Sequence, residues 1–215
     1  MFSVKKNNFK SFFLLIFLLA IFILYCAISY VNAVSSDLQN SVFRLHVIAN
    51  SDSVEDQNLK YSVRDSILEY MNTFLSSTSS KEESIKLVSE NIDSIKQIAR
   101  KTIIDNGYDY DVNVEVGNFQ FPTKTYGDIH FPAGYYDALK VKIGKSEGKN
   151  WWCVMFPPLC FVDVTSGIVP EESKEILEES LLEDEYKLIS SNDNSSKIKF
   201  KIIELFQDIS SKISS

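Results

Sequence analysis

Glycine, proline, histidine and cysteine are all scarce in this sequence. Its 215 residues include 7 Gly, 5 Pro, 2 His and 3 Cys. A collagen-like chain needs far more glycine and proline, and no internal period indicates a repeat architecture. Disorder is also excluded, because 45% apolar and 13% aromatic residues can bury enough surface to offset the chain entropy. The composition therefore favours a globular protein with a hydrophobic core.

Acidic residues are absent from the first 33 positions, which contain three lysines, Lys5, Lys6 and Lys10. The other 182 residues carry 19 basic and all 29 acidic side chains, a net charge of −10 against −7 for the whole chain. Such a body is a poor partner for nucleic acid, whose binding depends on neutralised phosphates. It is equally unsuited to adhesion to anionic lipid. Its length fits one ordinary domain.

The N-terminal segment has the features of a targeting sequence. Residues 12–28 form an apolar stretch that follows the three lysines, and the positive-inside bias holds those lysines in the cytoplasm. Residues 31–33 then offer small side chains where a signal peptidase cleaves, which predicts cleavage after Ala33. An uncleaved anchor is the alternative, since the stretch approaches the length of a membrane span. We predict a signal peptide or membrane anchor at 1–33 and an extracytoplasmic domain at 34–215.

The periodicity of the remaining chain predicts an α+β fold, a single domain with a mostly antiparallel sheet flanked by helices. Turn and capping residues at 50–53 and the pair Ser80 and Glu83 predict two helix starts, and Gly107 predicts a helix end. Alternating or continuous apolar residues predict strands at 43–48, 111–116, 119–121, 138–143 and 151–156. Helices are predicted after residue 53, at 80–106, after Pro170 and at 198–213, with a loop at 122–134.

Catalytic motifs fail when their context is considered. Residues 144–148 match G-x-S-x-G, but that serine needs a strand-to-helix turn and a later histidine, whereas a strand follows here and both histidines come earlier. A phosphate loop fails because Leu139 stands where its first glycine is required. The cysteine and histidine spacing does not predict zinc. We therefore predict a protein that is not an enzyme, with no cofactor and no metal site.

An aromatic and proline cluster at 150–161 stands out, because it contains both tryptophans and two adjacent prolines. Buried, it is a core strand with a turn; exposed in part, it has the composition of a binding hot spot. The long loop at 122–134 is a second candidate, since such loops are often functional. The predicted partner-binding residues are Trp151, Trp152, Phe156, Pro157, Pro158, Leu159, Phe161, Tyr126 and Phe131.

Two cysteines lie within this cluster. Outside the cytoplasm, Cys153 and Cys160 are candidates for a disulfide across the Pro157-Pro158 turn. Closing so short a loop would stabilise the fold by about 2–3 kcal/mol in the chain-entropy model. Two buried thiols are the alternative.

Several strings of residues resemble the stage II sporulation protein R family. They cover most of residues 42–206 and are long enough to be specific. They are 44–52 (RLHVIANSD), 56–60 (DQNLK), 63–65 (VRD), 121–127 (FPTKTYG), 131–135 (FPAGY), 148–154 (GKNWWCV), 156–163 (FPPLCFVD) and a terminal helix at 197–206.

The resemblance implies an exported signalling protein of endospore formation. It would be made in the forespore and act in the space between forespore and mother cell. There it would activate a membrane-embedded aspartic protease of the mother-cell membrane, which processes pro-sigma-E. The resemblance supplies no catalytic residues. Two alternatives stay open: a hydrolase acting on cell wall through His46, Asp52 and His130, and a structural domain of the envelope.

Overall fold

The computed structural model describes residues 4–160 and 169–190, and these residues form six helices and six strands. The predicted helix at 198–213 lies outside the described residues. In chain order the elements are α1 (Val4–Ser41), β1 (Phe43–Ile48), α2 (Val54–Leu75), α3 (Lys81–Glu90), α4 (Ile92–Asp105), β2 (Val112–Phe121), β3 (Lys124–Tyr126), β4 (Ile129–Phe131), β5 (Gly134–Ile143), β6 (Asn150–Phe156), α5 (Glu171–Ser180) and α6 (Glu183–Ser190).

A four-stranded sheet organises the body, with strand order β2-β5-β1-β6. Strand β1 pairs in parallel with β5, while β1–β6 and β2–β5 are antiparallel. Strands β3 and β4 form a separate antiparallel hairpin. The predicted α+β class with a mostly antiparallel sheet and an N-terminal apolar helix is confirmed.

Helices α2, α3 and α4 cover one face of the sheet. The period-2 alternation of β1 sends Phe43, Leu45 and Val47 to this face, where all three are fully buried. The apolar stripe of α2 meets them, with Val63 and Ile67 at 0% exposure. The core predicted from the alternation of β1 and the stripe of α2 therefore forms between these two elements.

The opposite face is covered by the end of α1, the β3–β4 hairpin, α5 and α6. Val34 and Leu38 of α1 are buried beside Phe131 and Ile189 in this second core. The hydroxyl of Ser41 donates to the buried carboxylate of Glu185 at 2.9 Å, which joins α1 to α6. Helix α1 is thus continuous across the 33/34 boundary, and its last two turns belong to the body.

The predicted helix at 80–106 is divided into α3 and α4 at Asn91. The Asn91 side chain accepts a hydrogen bond from the Tyr70 hydroxyl at 2.8 Å and donates to the carbonyl of Leu87 at 2.9 Å. These bonds to α2 and α3 stabilise the non-helical backbone of Asn91 at φ −103° and ψ 10°. The predicted ends are nevertheless observed, since Ser80 caps α3 by accepting from the amide of Glu83, and Gly107 follows α4 with φ 85°.

Two features of the sheet differ from the predicted pattern. The segment predicted as a loop at 122–134 contains the β3–β4 hairpin, and the strands predicted at 111–116 and 119–121 are one strand, β2. Strand β6 lies at the edge of the four-stranded sheet, next to β1. Trp151 and Trp152 are accordingly half-buried, while the residues from Cys153 to Phe156 are buried.

A polar clamp, formed by Asn50, Ser51 and Asp56, joins the β1–α2 turn to the β5–β6 turn. The buried carboxylate of Asp56 accepts from the Asn50 amide at 2.7 Å and from the Ser51 hydroxyl at 2.5 Å. The Asn50 side-chain oxygen accepts in turn from the amide of Lys145 at 2.9 Å. A Cβ on Gly148 would lie 2.2 Å from the carbonyl oxygen of Ser51, so this close approach requires glycine.

The ionised state of Asp56 is favoured by these contacts. Burial by itself would raise the pKa of Asp56, but hydrogen bonds from Ser51, Asn50 and Tyr110 outweigh it and hold the pKa below its ordinary value. The carboxylate is therefore charged and fully engaged at neutral pH.

Replacing Asp56 tests the clamp. Asp56→Ala is expected to lower the free energy of unfolding by about 1–3 kcal/mol, because it leaves the Asn50 and Ser51 donors without their acceptor. Glu69→Ala on the exposed side of the same helix is the matched control and should change it by less than about 0.5 kcal/mol. The measurement is chemical denaturation of the detergent-solubilised chain. Equal losses in the two variants would contradict the clamp.

Candidate functional site

Four of the nine predicted partner-binding residues are buried in the body. Phe131 has 0% exposure, and Phe156, Pro157 and Leu159 are buried as well. Phe156 and Pro157 are joined by a cis peptide bond. The side chains that keep solvent access are Trp151, Trp152, Pro158 and Tyr126, all half-buried. Phe161 lies outside the described residues.

The two tryptophans lie on opposite faces of β6. Trp151 packs against the core of α2–α4, where the Arg64 guanidinium stands 4.9 Å from its ring centroid. Trp152 packs on the other face, 4.6 Å from the ring of Phe121. Consecutive residues of a strand point in opposite directions, so the pair cannot form one continuous hydrophobic patch.

Arg44 is the main feature of the Trp152 face that sequence reasoning missed. It has 0% exposure, and its Nη2 donates to the Tyr126 hydroxyl at 2.8 Å. Its guanidinium carbon lies 4.2 Å, 4.7 Å and 5.6 Å from the ring centroids of Phe121, Tyr136 and Phe131. The aromatic faces therefore provide most of the surroundings of this charge.

The charge of Arg44 is incompletely compensated. Its Nε and Nη1 atoms are buried and have no hydrogen-bond partner, and no ion pair among the described residues includes it. Burial raises the pKa of Tyr126, although the neighbouring guanidinium of Arg44 opposes that rise. The Tyr126 hydroxyl thus remains a neutral acceptor for Arg44. The signal in the sequence was an arginine between the apolar residues of a central strand.

His46 lies two residues further along β1, on the same face. Its ring stacks on Trp152 with centroids 3.6 Å apart, and its Nε2 donates to the Asn150 side-chain oxygen at 2.7 Å. The Nδ1 atom is buried without a partner. Burial lowers the pKa of His46 to about 4, and the positive charges of Lys140 and Arg44 act in the same direction. His46 is therefore a neutral, structural imidazole at neutral pH.

The residues of the alternative hydrolase, His46, Asp52 and His130, are not linked to one another. Asp52 accepts from the backbone amide of Lys149 at 2.6 Å, and the Nδ1 atom of His130 lies 2.9 Å from the Thr125 hydroxyl. No described hydrogen bond joins any two of the three. Within residues 4–160 and 169–190, no group of three or more His, Cys, Asp or Glu side chains is arranged to hold a metal ion. Hydrogen bonds among the described residues therefore do not assemble these three side chains into one site.

Cys153 and Cys160 are paired as a disulfide in the structure, with their Cα atoms 5.5 Å apart. Cys153 belongs to the core beneath α2–α4, and the chain returns so that the amides of Leu159 and Cys160 donate to the carbonyl of Val154. The crosslink therefore holds the proline turn against the edge strand. Cys26 is exposed and unpaired in α1.

The comparisons with known proteins define a class, the sporulation proteins. Residues 39–166 match the family model described as stage II sporulation protein R. The protein of that name from Bacillus subtilis (strain 168) is 34% identical over 185 residues, covering 80% of this chain and 83% of the relative. No solved structure matches. The chain belongs to the stage II sporulation protein R family, which confirms the resemblance.

The lowered pKa of His46 predicts a pH dependence of stability. The imidazole titrates at about 6.5 when unfolded and at about 4 when folded, so the unfolded state binds more protons between these values. The free energy of unfolding should therefore fall by about 2–3 kcal/mol from pH 7 to pH 4. Denaturation of the wild type and His46→Gln measures this slope, which the variant should largely lose. An unchanged slope in the variant would show that His46 does not carry the effect.

The crosslink predicts a defined alkylation pattern. In the full-length chain under denaturing, non-reducing conditions, alkylation should modify Cys26 alone, and all three cysteines after reduction. Intact mass spectrometry counts the modified thiols and also reports whether residues 1–33 are retained. The control is Cys26→Ser, which should remain unmodified before reduction. Modification of Cys153 or Cys160 before reduction would show that the bond is absent.

Proposed function

We propose that this protein is an exported signalling protein of sporulation. It is made in the forespore, crosses the forespore membrane and activates an aspartic protease embedded in the mother-cell membrane, which then processes pro-sigma-E. Membership of the stage II sporulation protein R family is the observation that carries this proposal. The signal passes between two compartments, so the body acts in the space between their membranes.

The N-terminal helix supports export and membrane attachment. The large apolar side chains of α1 from Phe12 to Tyr25 are 47–67% exposed, and no other described element covers them. So extended an apolar surface is unfavourable in water and is suited to a bilayer. Because the last turns of α1 are buried in the body, an uncleaved chain would hold the body close to the membrane surface. Cleavage after Ala33 would release the body with residues 34–41 still docked.

Activation requires binding rather than chemistry by this chain. A ligand shifts a conformational equilibrium when it binds the active state more tightly than the inactive one. A difference of about 1–3 kcal/mol is sufficient for a useful shift. The failed catalytic motifs and the unlinked His46, Asp52 and His130 are consistent with a protein that acts as a ligand.

The partner surface proposed here is the solvent-accessible part of the predicted cluster. Trp152 and Tyr126 are half-buried on the side of the molecule on which the hairpin packs, and Pro158 is half-buried in the turn that follows β6. The buried members of the cluster support them from below, as Phe131 does for Tyr126 with ring centroids 6.0 Å apart. Aromatic side chains in such supported positions are typical of binding hot spots.

Deletion of the gene tests the function itself. Sporulating cells without the protein should accumulate pro-sigma-E, and re-expression of the wild-type chain in the forespore should restore the mature sigma factor. Immunoblots over a sporulation time course give the ratio of the two forms. Normal maturation in the deletion strain would contradict the proposal and favour the structural-domain alternative.

Substitution of Trp152 and Pro158 tests the surface. Trp152→Ala and Pro158→Ala are each expected to abolish pro-sigma-E processing, because they remove a contact side chain at the centre of the interface. The control is Ile104→Ala, which truncates a side chain that is 53% exposed on α4 and should process normally. Export and protease resistance of each variant must match the wild type. Normal processing by both stable variants would remove this surface from the proposal.

A further inference from the structure

The sheet face that carries Arg44 and His46 brings three cationic side chains together. Arg44, Lys124 and Lys140 join no ion pair among the described residues, although the body as a whole is strongly acidic. We call the surface formed by Lys124, Lys140, Phe119 and Trp152, above Arg44 and His46, the cationic–aromatic face.

Strand register brings this face together. His46 lies opposite Lys140 of β5 on one side and opposite Trp152 of β6 on the other, so the three form one row across the sheet. Neighbouring strands are about 4.8 Å apart, which places the backbones of Lys140 and Trp152 about 10 Å from each other. Lys124 of the hairpin approaches from above, with its Nζ 5.9 Å from the Trp152 ring centroid.

Within residues 4–160 and 169–190, Lys140 forms no ion pair even though a carboxylate is near. Glu115 lies opposite Lys140 in the β2–β5 register, yet its carboxylate pairs with Lys142 at 2.7 Å. The Lys140 Nζ instead lies 3.6 Å from the centroid of the Phe119 ring. Burial and the neighbouring charge of Lys142 lower the pKa of Lys140, and the nearby Glu115 carboxylate opposes that fall in part. A lysine that is merely solvated would extend into water, whereas this ammonium is held on an aromatic ring.

Arg44 adds a fixed positive field beneath the face. Its charge is enclosed by aromatic rings in a region of low dielectric constant, where screening is weak. A buried charge without an opposite charge is unfavourable, and an anion arriving nearby recovers part of that energy. The face therefore favours an anion flanked by two lysines and bordered by Phe119 and Trp152.

We propose that the cationic–aromatic face binds carboxylate side chains of an acidic segment in the extracytoplasmic part of the partner. Charge complementarity carries this assignment, since among the described residues two half-buried lysines and a buried guanidinium have no carboxylate in an ion pair. The net charge of the body would otherwise repel an acidic segment. The inference rests on the proposed function and adds to it the chemistry that the protein recognises. Trp152, which belongs to both surfaces, packs beside the bound segment.

Charge reversal tests the site in the full-length chain. The Lys124→Glu, Lys140→Glu double variant and the wild type are placed in nanodiscs of neutral lipid, and their affinity for the solubilised aspartic protease is measured. The double variant should bind about tenfold or more weakly, because two attractions become repulsions. The neutral Lys124→Gln, Lys140→Gln pair should lie between them, and added salt should reduce the wild-type affinity most.

The matched control carries the same change of charge elsewhere. Lys86→Glu, Lys96→Glu alters two exposed lysines of α3 and α4 and should bind like the wild type. Equal losses in both double variants would overturn the site, since the effect would then follow net charge. Unchanged protease binding by Lys124→Glu, Lys140→Glu would also overturn the site. If this variant keeps its affinity for the protease and loses only binding to phosphatidylglycerol vesicles, the face binds lipid and the proposal is again wrong.

The same variants in sporulating cells separate this inference from the proposed function. One outcome is that the deletion strain accumulates pro-sigma-E while the exported, protease-resistant Lys124→Glu, Lys140→Glu variant restores processing fully. That outcome would support the proposed function and contradict the proposed binding site. If both strains accumulate pro-sigma-E and the Lys86→Glu, Lys96→Glu control does not, the site is supported. Normal maturation of the sigma factor in the deletion strain would contradict the proposed function itself, whatever the variants do.

Discussion

The burial of the Arg44 charge in the central strand is the constraint on which one half of this structure depends. Strand β1 has a neighbour on each side and a covered face above and below, so Arg44 is cut off from water. Taking a charge out of water costs several kcal/mol. Cation–π contacts of about 0.5–2 kcal/mol each and one hydroxyl offset part of that cost. The rings come from β2, β4 and β5 and the hydroxyl from β3, so the hairpin completes the surroundings of this guanidinium.

The other half depends on the clamp formed by Asn50, Ser51 and Asp56. Three of the strings that carry the family resemblance, at 44–52, 56–60 and 148–154, meet there. Most of their polar groups bond one another or nearby backbone, as when the buried Lys60 ammonium donates to the Gln57 side chain and to the carbonyl of Lys149. A polar group that is already hydrogen-bonded within the protein is not available to bind a partner. We therefore assign the clamp to stability, whereas the recognition proposed above involves the cationic–aromatic face.

The elements that could be predicted were those set by short-range rules. Ser53 and Ser80 cap the helices where a serine precedes an apolar stripe, because the capping oxygen and the amide it binds lie three residues apart. The division at Asn91 could not be predicted in this way, because it depends on a hydrogen bond from Tyr70, 21 residues away. The aromatic cluster was recognisable from composition, but its division between two faces and the burial of Phe131, Phe156 and Leu159 depended on where β6 and the hairpin lie.

The sequence by itself determined the membrane-type N-terminal helix, the α+β class, the helix ends at Ser53, Ser80 and Gly107, and the family. Each of these depends on composition, local spacing or long matching strings. The tertiary structure alone decided that β1 pairs in parallel with β5, and therefore that Lys140, His46 and Trp152 share one row. It also decided which lysine pairs with Glu115, since this carboxylate reaches Lys142 and not Lys140. Register and burial arise from contacts between residues far apart in the chain, and no local pattern contains them.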